Sequence, residues 1–461
     1  MSCELRPKPS IHFVEQTSAQ SLLGTMDPAR YLVTWDVRAP LCMAFQSLLT
    51  AVLIWITPKH SMIRWATLPF LMYLGYICTA TGPNFSLQTT LFMCFTVGGY
   101  INALHCINFL CLSPLDHVAM REEMRRWQSG EQEKGASDEH DQNVQDTRSA
   151  EKTREENSWV YKIYFTTAAL WSLRGVGTAW QLKSIPEFPA GRMPGRAAFI
   201  RRQVILIFFT YCLVDWITSQ EQTPEAAVGW AEGKEWLWLA RNPHKVTARD
   251  LVARALATFM SWFLLGRLML EMWHRIFSVI FVGSGISEVR QWPPLWGSYS
   301  DCFTLRRYFN KFWHQCNRIH LQGVASFTAR DLLGLGPGIL RRYTITTLVF
   351  AISGLYHRLV DNIMGIDWHK SGGLTAFLLI VPGILLEDFV QTCWNRATAP
   401  KRLSAKARSL LERIVGYLWV FSWLMLVTPI YNYPIMRIDP ENSLKLYVTP
   451  WSLVKWLRQW N

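Results

Sequence analysis

Eight long apolar runs, separated by polar or cationic stretches, constrain this chain more than any other feature. They lie at 41–56, 62–79, 88–112, 203–218, 251–282, 341–365, 373–391 and 412–431. Most approach the ~20 residues that a helix needs to cross a bilayer. Lipid offers no partner to a free N–H or C=O, so such runs close their hydrogen bonds internally as helices. The expectation is an all-α, polytopic integral membrane protein of about eight transmembrane helices, with interfacial or re-entrant helices between them. The 23 tryptophans fit this reading, because indole seats its N–H among headgroups while burying its ring.

Charge refines the picture. The net charge is +13, yet residues 113–158 hold twelve acidic and seven basic side chains, leaving +18 on the remainder. That segment has little to bury and reads as a flexible cytoplasmic loop. The cations are spread over several loops, which excludes a nucleic-acid binder and points to a multi-pass topology in the endoplasmic reticulum. The loops around Lys59 and Arg64, and those at 113–202, 273–342 and 394–408, are expected on the cytoplasmic side, with Arg174 among their charges and both termini lumenal. The first thirty residues lack the apolar core of a signal peptide, so insertion is expected to begin with the first span. Ten cysteines show no CxxC pair and no metal-ligand spacing, and those in apolar runs, Cys42, Cys78, Cys94 and Cys212, read as packing residues. The expected division is a lumenal segment at 1–40, three spans at 41–112, the loop at 113–158, a core at 159–433 and a tail at 434–461.

Three stretches carry polar groups where apolar ones are cheaper. In 341–365, Thr346, Ser353, His357 and Met364 share one side of a helix, with Gly354 beside them and Asp361 a turn further on. A histidine at membrane depth faces a bundle interior or a wet cavity, either bonded to a neighbouring helix or used in chemistry. In 88–112, Asn102, His105 and Asn108 recur at three-residue spacing and are expected to bond between helices. In 305–321 the pattern is amphipathic: Leu305, Tyr308, Phe309, Phe312, Cys316 and Ile319 on one face, Arg307, Lys311, His314 and Arg318 on the other. This segment is expected along the membrane surface, either anchoring headgroups or holding a phosphate-bearing cosubstrate. Of the remaining groups, 171–183 reads as interfacial or re-entrant with Gly175 and Gly177 allowing close packing. The run 251–282 is expected to cross to about Leu270 and continue along the surface, with Arg267 and Glu271 paired. Glu387 and Asp388 are expected to pair with a nearby arginine.

The run WPPLWGSYSDCFTLRRYFNKFWHQ, together with SLRGVGTAWQ and SGLYH, resembles the motif blocks of fungal wax-synthase-like acyltransferases in the membrane-bound O-acyltransferase superfamily. The resemblance covers about 171–433 and is nearest to enzymes that acetylate terpenoid and meroterpenoid alcohols. It departs at 308–311, where the family commonly has Phe-Trp-Gly. It implies that His357 is the intramembrane catalytic histidine and His314 the second polar position, acting on the thioester end. It further implies acetyl-CoA as cosubstrate with no permanently bound cofactor, Arg307, Lys311, Arg318 and Trp313 near the coenzyme, and a lipophilic alcohol as acceptor within the lipid bilayer. The chemistry is self-consistent, since direct acyl transfer needs a base for the hydroxyl proton but no enzyme nucleophile, and no GxSxG elbow is present. A long-chain ester synthase, a transporter using the intramembrane polar groups, and an inactive scaffold remain as alternatives.

Overall fold

The computed structural model describes residues 36–86, 88–135, 158–188, 193–220, 227–236, 246–397, 404–438, 446, 448–449 and 451–460. Within them the chain is helical throughout. The principal helices are α1 (Arg38–Ile56), α2 (Leu68–Phe85), α3 (Thr89–Thr96), α4 (Gly98–Ile107), α5 (His117–Gly135), α6 (Trp159–Trp171) and α7 (Arg196–Thr218). They continue with α8 (Ala248–Thr258), α9 (Leu265–Gly283), α10 (Arg318–Phe327), α11 (Ile339–Ile363), α12 (Gly373–Arg396), α13 (Ala405–Met436) and α14 (Leu453–Arg458).

Among the described residues, five stretches are long and apolar enough to cross a membrane: α1, α7, the continuous α8–α9 rod, α12 and α13. A sixth is added if α3 and α4, bent by 42° at their junction, form one broken span. The count of eight is therefore not reached on these criteria. The two expected crossings that fall short are α2, diluted by Tyr, Thr, Gly and Asn, and α11, which carries Arg341, Arg342, Arg358 and Asp361. Even so, the 25 residues of α11 extend for about 37 Å. The 251–282 run does not turn onto the surface near Leu270. It continues as helix to Gly283, widened by one π-helical turn at Phe259–Leu264.

Local chemistry sets the ends. Pro69 opens α2 at a position where its missing N–H costs nothing. Thr247 and Asp250 bond each other's backbone at the start of α8, a capping box. Pro382 loosens a turn of α12, where the Trp423 indole donates to the Leu379 carbonyl at 3.0 Å. Gly175 and Gly177 take φ of +63° and +78°, and a Cβ on Gly175 would stand 2.8 Å from the Trp180 ring. The 171–183 segment thus follows a path of tight turns open to glycine there.

Two large apolar cores result, with smaller clusters around Phe92 and Phe199. One lies among α1, α2, α4 and α6, around Ile54, Leu71, Cys106 and Leu110. The other is markedly aromatic and lies among α8–α9, α12, α13 and the 295–313 segment, around Trp262, Trp296, Leu305, Tyr308 and Phe312. The helix α10 packs on both α4 and α11 and so joins them.

Three expectations need correction. The charged loop is not unstructured from its start, because α5 buries Met120 and Met124 against the first core. Residues 136–157 lie outside the described residues, as does most of the 1–40 segment. Arg64 and Arg174, counted as loop cations, are buried. Arg64 donates to the carbonyls of Thr57, Leu110 and Leu115 and to the Thr57 hydroxyl. Finally, 305–321 is not one surface helix: a short turn at Leu305–Arg307 widens into a π-helical turn at Tyr308–Phe312 and stops, and α10 begins only at Arg318.

Candidate active site

The site begins with that interrupted segment. Tyr308, where the family's usual run differs, is wholly buried and donates its hydroxyl to the Trp262 carbonyl. Its own carbonyl accepts the Trp313 N–H at 2.8 Å, the wide turn after which the chain becomes extended. One side of this exit is closed by Gly297, whose N–H reaches the Phe312 carbonyl at 3.0 Å. A Cβ on Gly297 would fall 2.1 Å from the Lys311 carbonyl oxygen, so the backbones meet only because this residue is glycine. Glu387 of α12 accepts the N–H groups of Leu305 and Arg306, and Asp388 pairs with Arg306, Arg342 and the Tyr343 hydroxyl. The Glu387/Asp388 pair is thus an anchor for the segment: Asp388 pairs with arginines as expected, while Glu387 instead caps backbone N–H groups.

The break moves His314 off the cationic face. Its imidazole lies 5.5 Å from the Trp296 ring and 5.4 Å from the Trp313 ring, with Nδ1 buried and without a hydrogen-bond partner. Burial, reinforced by the Arg174 guanidinium, pulls the imidazole down to about 4, so His314 is neutral at physiological pH.

His357 sits on α11 where Gly354 lets α12 come close: a Cβ on Gly354 would stand 2.9 Å from Leu374 Cα. Its ring packs 4.4 Å from Phe377 and 5.2 Å from Tyr431, between α12 and α13. Neither ring nitrogen has a hydrogen-bond partner among the described residues, and the side chain is half-buried rather than sealed. Ser353 makes no hydrogen bond to it; the two aromatic rings orient the imidazole instead. A path of ring contacts, Trp313 to Trp262 to Phe377, links the two histidines across the aromatic core. They are near enough that charge on one is felt by the other. One turn beyond His357, the fully buried Asp361 accepts from the Ser371 hydroxyl at 2.6 Å.

The proposed coenzyme contacts are less gathered. Arg307 pairs with Asp301 and lies 4.5 Å over Phe303. Arg318 donates to Gln315 Oε1 and the Asn310 carbonyl, bracing the end of the π-helical turn. Trp313 is packed among Trp262, Trp296 and Tyr308. Lys311 is exposed, with no ionic partner among the described residues. No group of three or more potential metal ligands occurs among the described residues.

The residue that sequence reasoning misplaced is Arg174. It donates to the Pro293 carbonyl at 2.9 Å and the Pro294 carbonyl at 2.7 Å, tying the SLRGVGTAWQ and WPPLW blocks together. The signal was available, since both blocks carried the resemblance, but nothing in the sequence joined them.

A model of the membrane bound O-acyl transferase family matches residues 292–379, the stretch holding both histidines. The acetyltransferase atnC of Arthrinium sp is 31% identical over 404 residues, covering 86% of this chain and 87% of the relative. The chain belongs to the membrane bound O-acyl transferase family. Two further relatives are the acetyltransferase pyr8 of Aspergillus fumigatus, 31% identical over 88% of each chain, and the acetyltransferase ataH of Aspergillus terreus. The latter is 38% identical over 280 residues, 59% of this chain and 90% of the relative. No solved structure matches. This O-acyltransferase is thus a membrane enzyme with an acyl donor and an acyl acceptor as its substrates, and its family match brackets His357 and the segment that leads to it.

Proposed function

We propose that the enzyme transfers an acetyl group from acetyl-CoA to a hydroxyl of a lipophilic alcohol of the terpenoid or meroterpenoid type, in the endoplasmic reticulum membrane. The observation that carries this is His357: a half-buried imidazole on α11, held by Phe377 and Tyr431 with its nitrogens unclaimed among the described residues. His105 differs in bonding to the Leu170 carbonyl at 2.9 Å, and His320 in being sealed in the interior with both ring nitrogens unpartnered, whereas His357 keeps its nitrogens unclaimed on a side chain that is still partly open. In the proposed reaction His357 takes the proton of the acceptor hydroxyl as its oxygen attacks the thioester carbonyl. The tetrahedral intermediate collapses, the carbon–sulfur bond breaks, and the proton passes from His357 to the leaving thiolate. Neutral His314 donates an N–H to the carbonyl oxygen, where negative charge develops. Lys311, which has no ionic partner among the described residues, is the cation offered to a coenzyme phosphate, with Arg307, Arg318 and Trp313 shaping its surroundings.

Acetyl is favoured over longer chains by the relatives' names, and the acceptor's lipophilicity by a site reached through apolar walls. The core at 159–433 is the catalytic unit in this reading, with the 305–317 segment facing the cytosol. The test is donor competition: membranes supplied with labelled acetyl-CoA and a panel of terpenoid alcohols, with butyryl- and palmitoyl-CoA as rivals. Acetyl ester should form, resisting dilution by palmitoyl-CoA. Preferential palmitoyl transfer would point to wax-ester synthesis, and transfer to none of the acceptors would sink the substrate class.

A further inference from the structure

We propose that Arg174 is the positioning residue for His314: its guanidinium fixes the Pro-Pro turn that leads to Trp296, against whose ring the imidazole packs, and sets a buried positive charge beside it. This rests on the reading of His314 given above. Arg174 is 5% exposed and forms no ion pair among the described residues, which is unusual for a side chain that keeps its charge in protein interiors. Its two terminal nitrogens instead donate to the Pro293 and Pro294 carbonyls. Proline lacks an N–H and cannot pair its own segment into a helix, so these carbonyls need an external donor. Two residues on, Trp296 presents its ring to His314, and Gly297 closes on Phe312 just before His314. The 292–297 segment is therefore clamped at both ends, by Arg174 and by Gly297, around the wall of the imidazole.

The charge has its own effect. Of the titratable groups around His314, Arg174 from the 171–183 turns acts on it, His357 from α11 feels it in turn, and Cys316 on its own segment faces the Arg174 guanidinium. His274 of α9 faces the same guanidinium. A second cation next to buried Arg174 is unfavourable, so His314 is held neutral and keeps one N–H and one lone pair. Loss of the guanidinium should let His314 protonate at higher pH, which moves the acid limb of the rate profile upward.

The experiment compares wild type, Arg174→Met, Arg174→Lys and His314→Gln in native membranes, reading kcat, donor KM and the pH profile of kcat/KM. Arg174→Met should lower kcat about 10- to 100-fold with little change in KM and raise the acid limb by about 0.5–1 pH unit. Arg174→Lys keeps the charge but cannot span both carbonyls, so the limb should stay in place while kcat falls. The shift that Arg174→Met produces should be absent when His314→Gln is already present, leaving only the limb of the base His357. An Arg174→Met enzyme that accumulates normally, melts within a few degrees of wild type and keeps the wild-type limb overturns the inference. Should that variant not reach the membrane, Arg174→Gln carries the same pH test. His314→Gln with wild-type kcat would instead overturn the role of His314 itself, whatever Arg174 does.

Discussion

The two imidazoles differ in what surrounds them, and that difference sets their expected failures. Replacing His314 by Ala should remove one donor to the developing oxyanion and lower kcat about 10²- to 10³-fold, with donor binding largely retained, as kcat and KM measurements in membranes would show. The sign of the pH dependence follows from its environment. A histidine held down to about 4 stays neutral throughout pH 6 to 8, so a rate that needs neutral His314 should be flat there and fall only as the medium becomes strongly acidic. A profile already falling between pH 7 and 6 would assign the limb to another group. His357 and His314 could both be singled out in the sequence, one by its expense in an apolar run, the other by its motif. What placed His314 wrongly was periodicity: the helical wheel carried it past Phe312, where the backbone had already left the helix. Arg174 was legible only as a cation, because hydrogen bonds to carbonyls 120 residues away leave no trace in local pattern.

At the scale of elements, the 292–317 segment is the part that the sequence described by composition and the fold by breaks. Its aromatic content and its proline pair were visible, whereas the arginine pairing expected of Glu387 and Asp388 did not say that they would hold this segment. The π-helical turn was not, since five residues of one wide turn carry the same apolar spacing as an ordinary helix. A substitution that acts only on this geometry is Gly297→Ala. Its Cβ would meet the Lys311 carbonyl at 2.1 Å, so the clamp must open. The expected result is a loss of activity of at least tenfold with thermal stability in detergent lowered by about 1–3 kcal/mol. Wild-type kcat in that variant would show that the 292–297 wall need not stay closed. A control is Gly99→Ala in the first core, where the Cβ would meet Cys78 at 2.4 Å. It should cost stability without changing the activity of the protein that survives.

For the whole molecule, apolar runs indicated the class, and of the eight crossings expected five or six are long and apolar enough among the described residues. Length and hydropathy separate α1, α7, α8–α9, α12 and α13 cleanly. They fail at α11 because a functional helix carries arginines and an aspartate where lipid would prefer none. Charge counting erred for a related reason, since Arg64 and Arg174 contribute to a loop total while sitting in the interior. The proposed cytosolic face of the 305–317 segment can be checked by placing a single cysteine at Lys311 and labelling intact and opened microsomes. Modification by an impermeant maleimide in sealed vesicles of cytosolic-side-out orientation is expected, and labelling only after opening would reverse the topology. The account stands most directly on His357, and the measurement is labelled acetyl transfer in membranes containing wild type or His357→Ala at equal abundance. It predicts ester formation by the wild type and a loss of about 10²- to 10⁴-fold in the variant, and equal ester formation by both would contradict it.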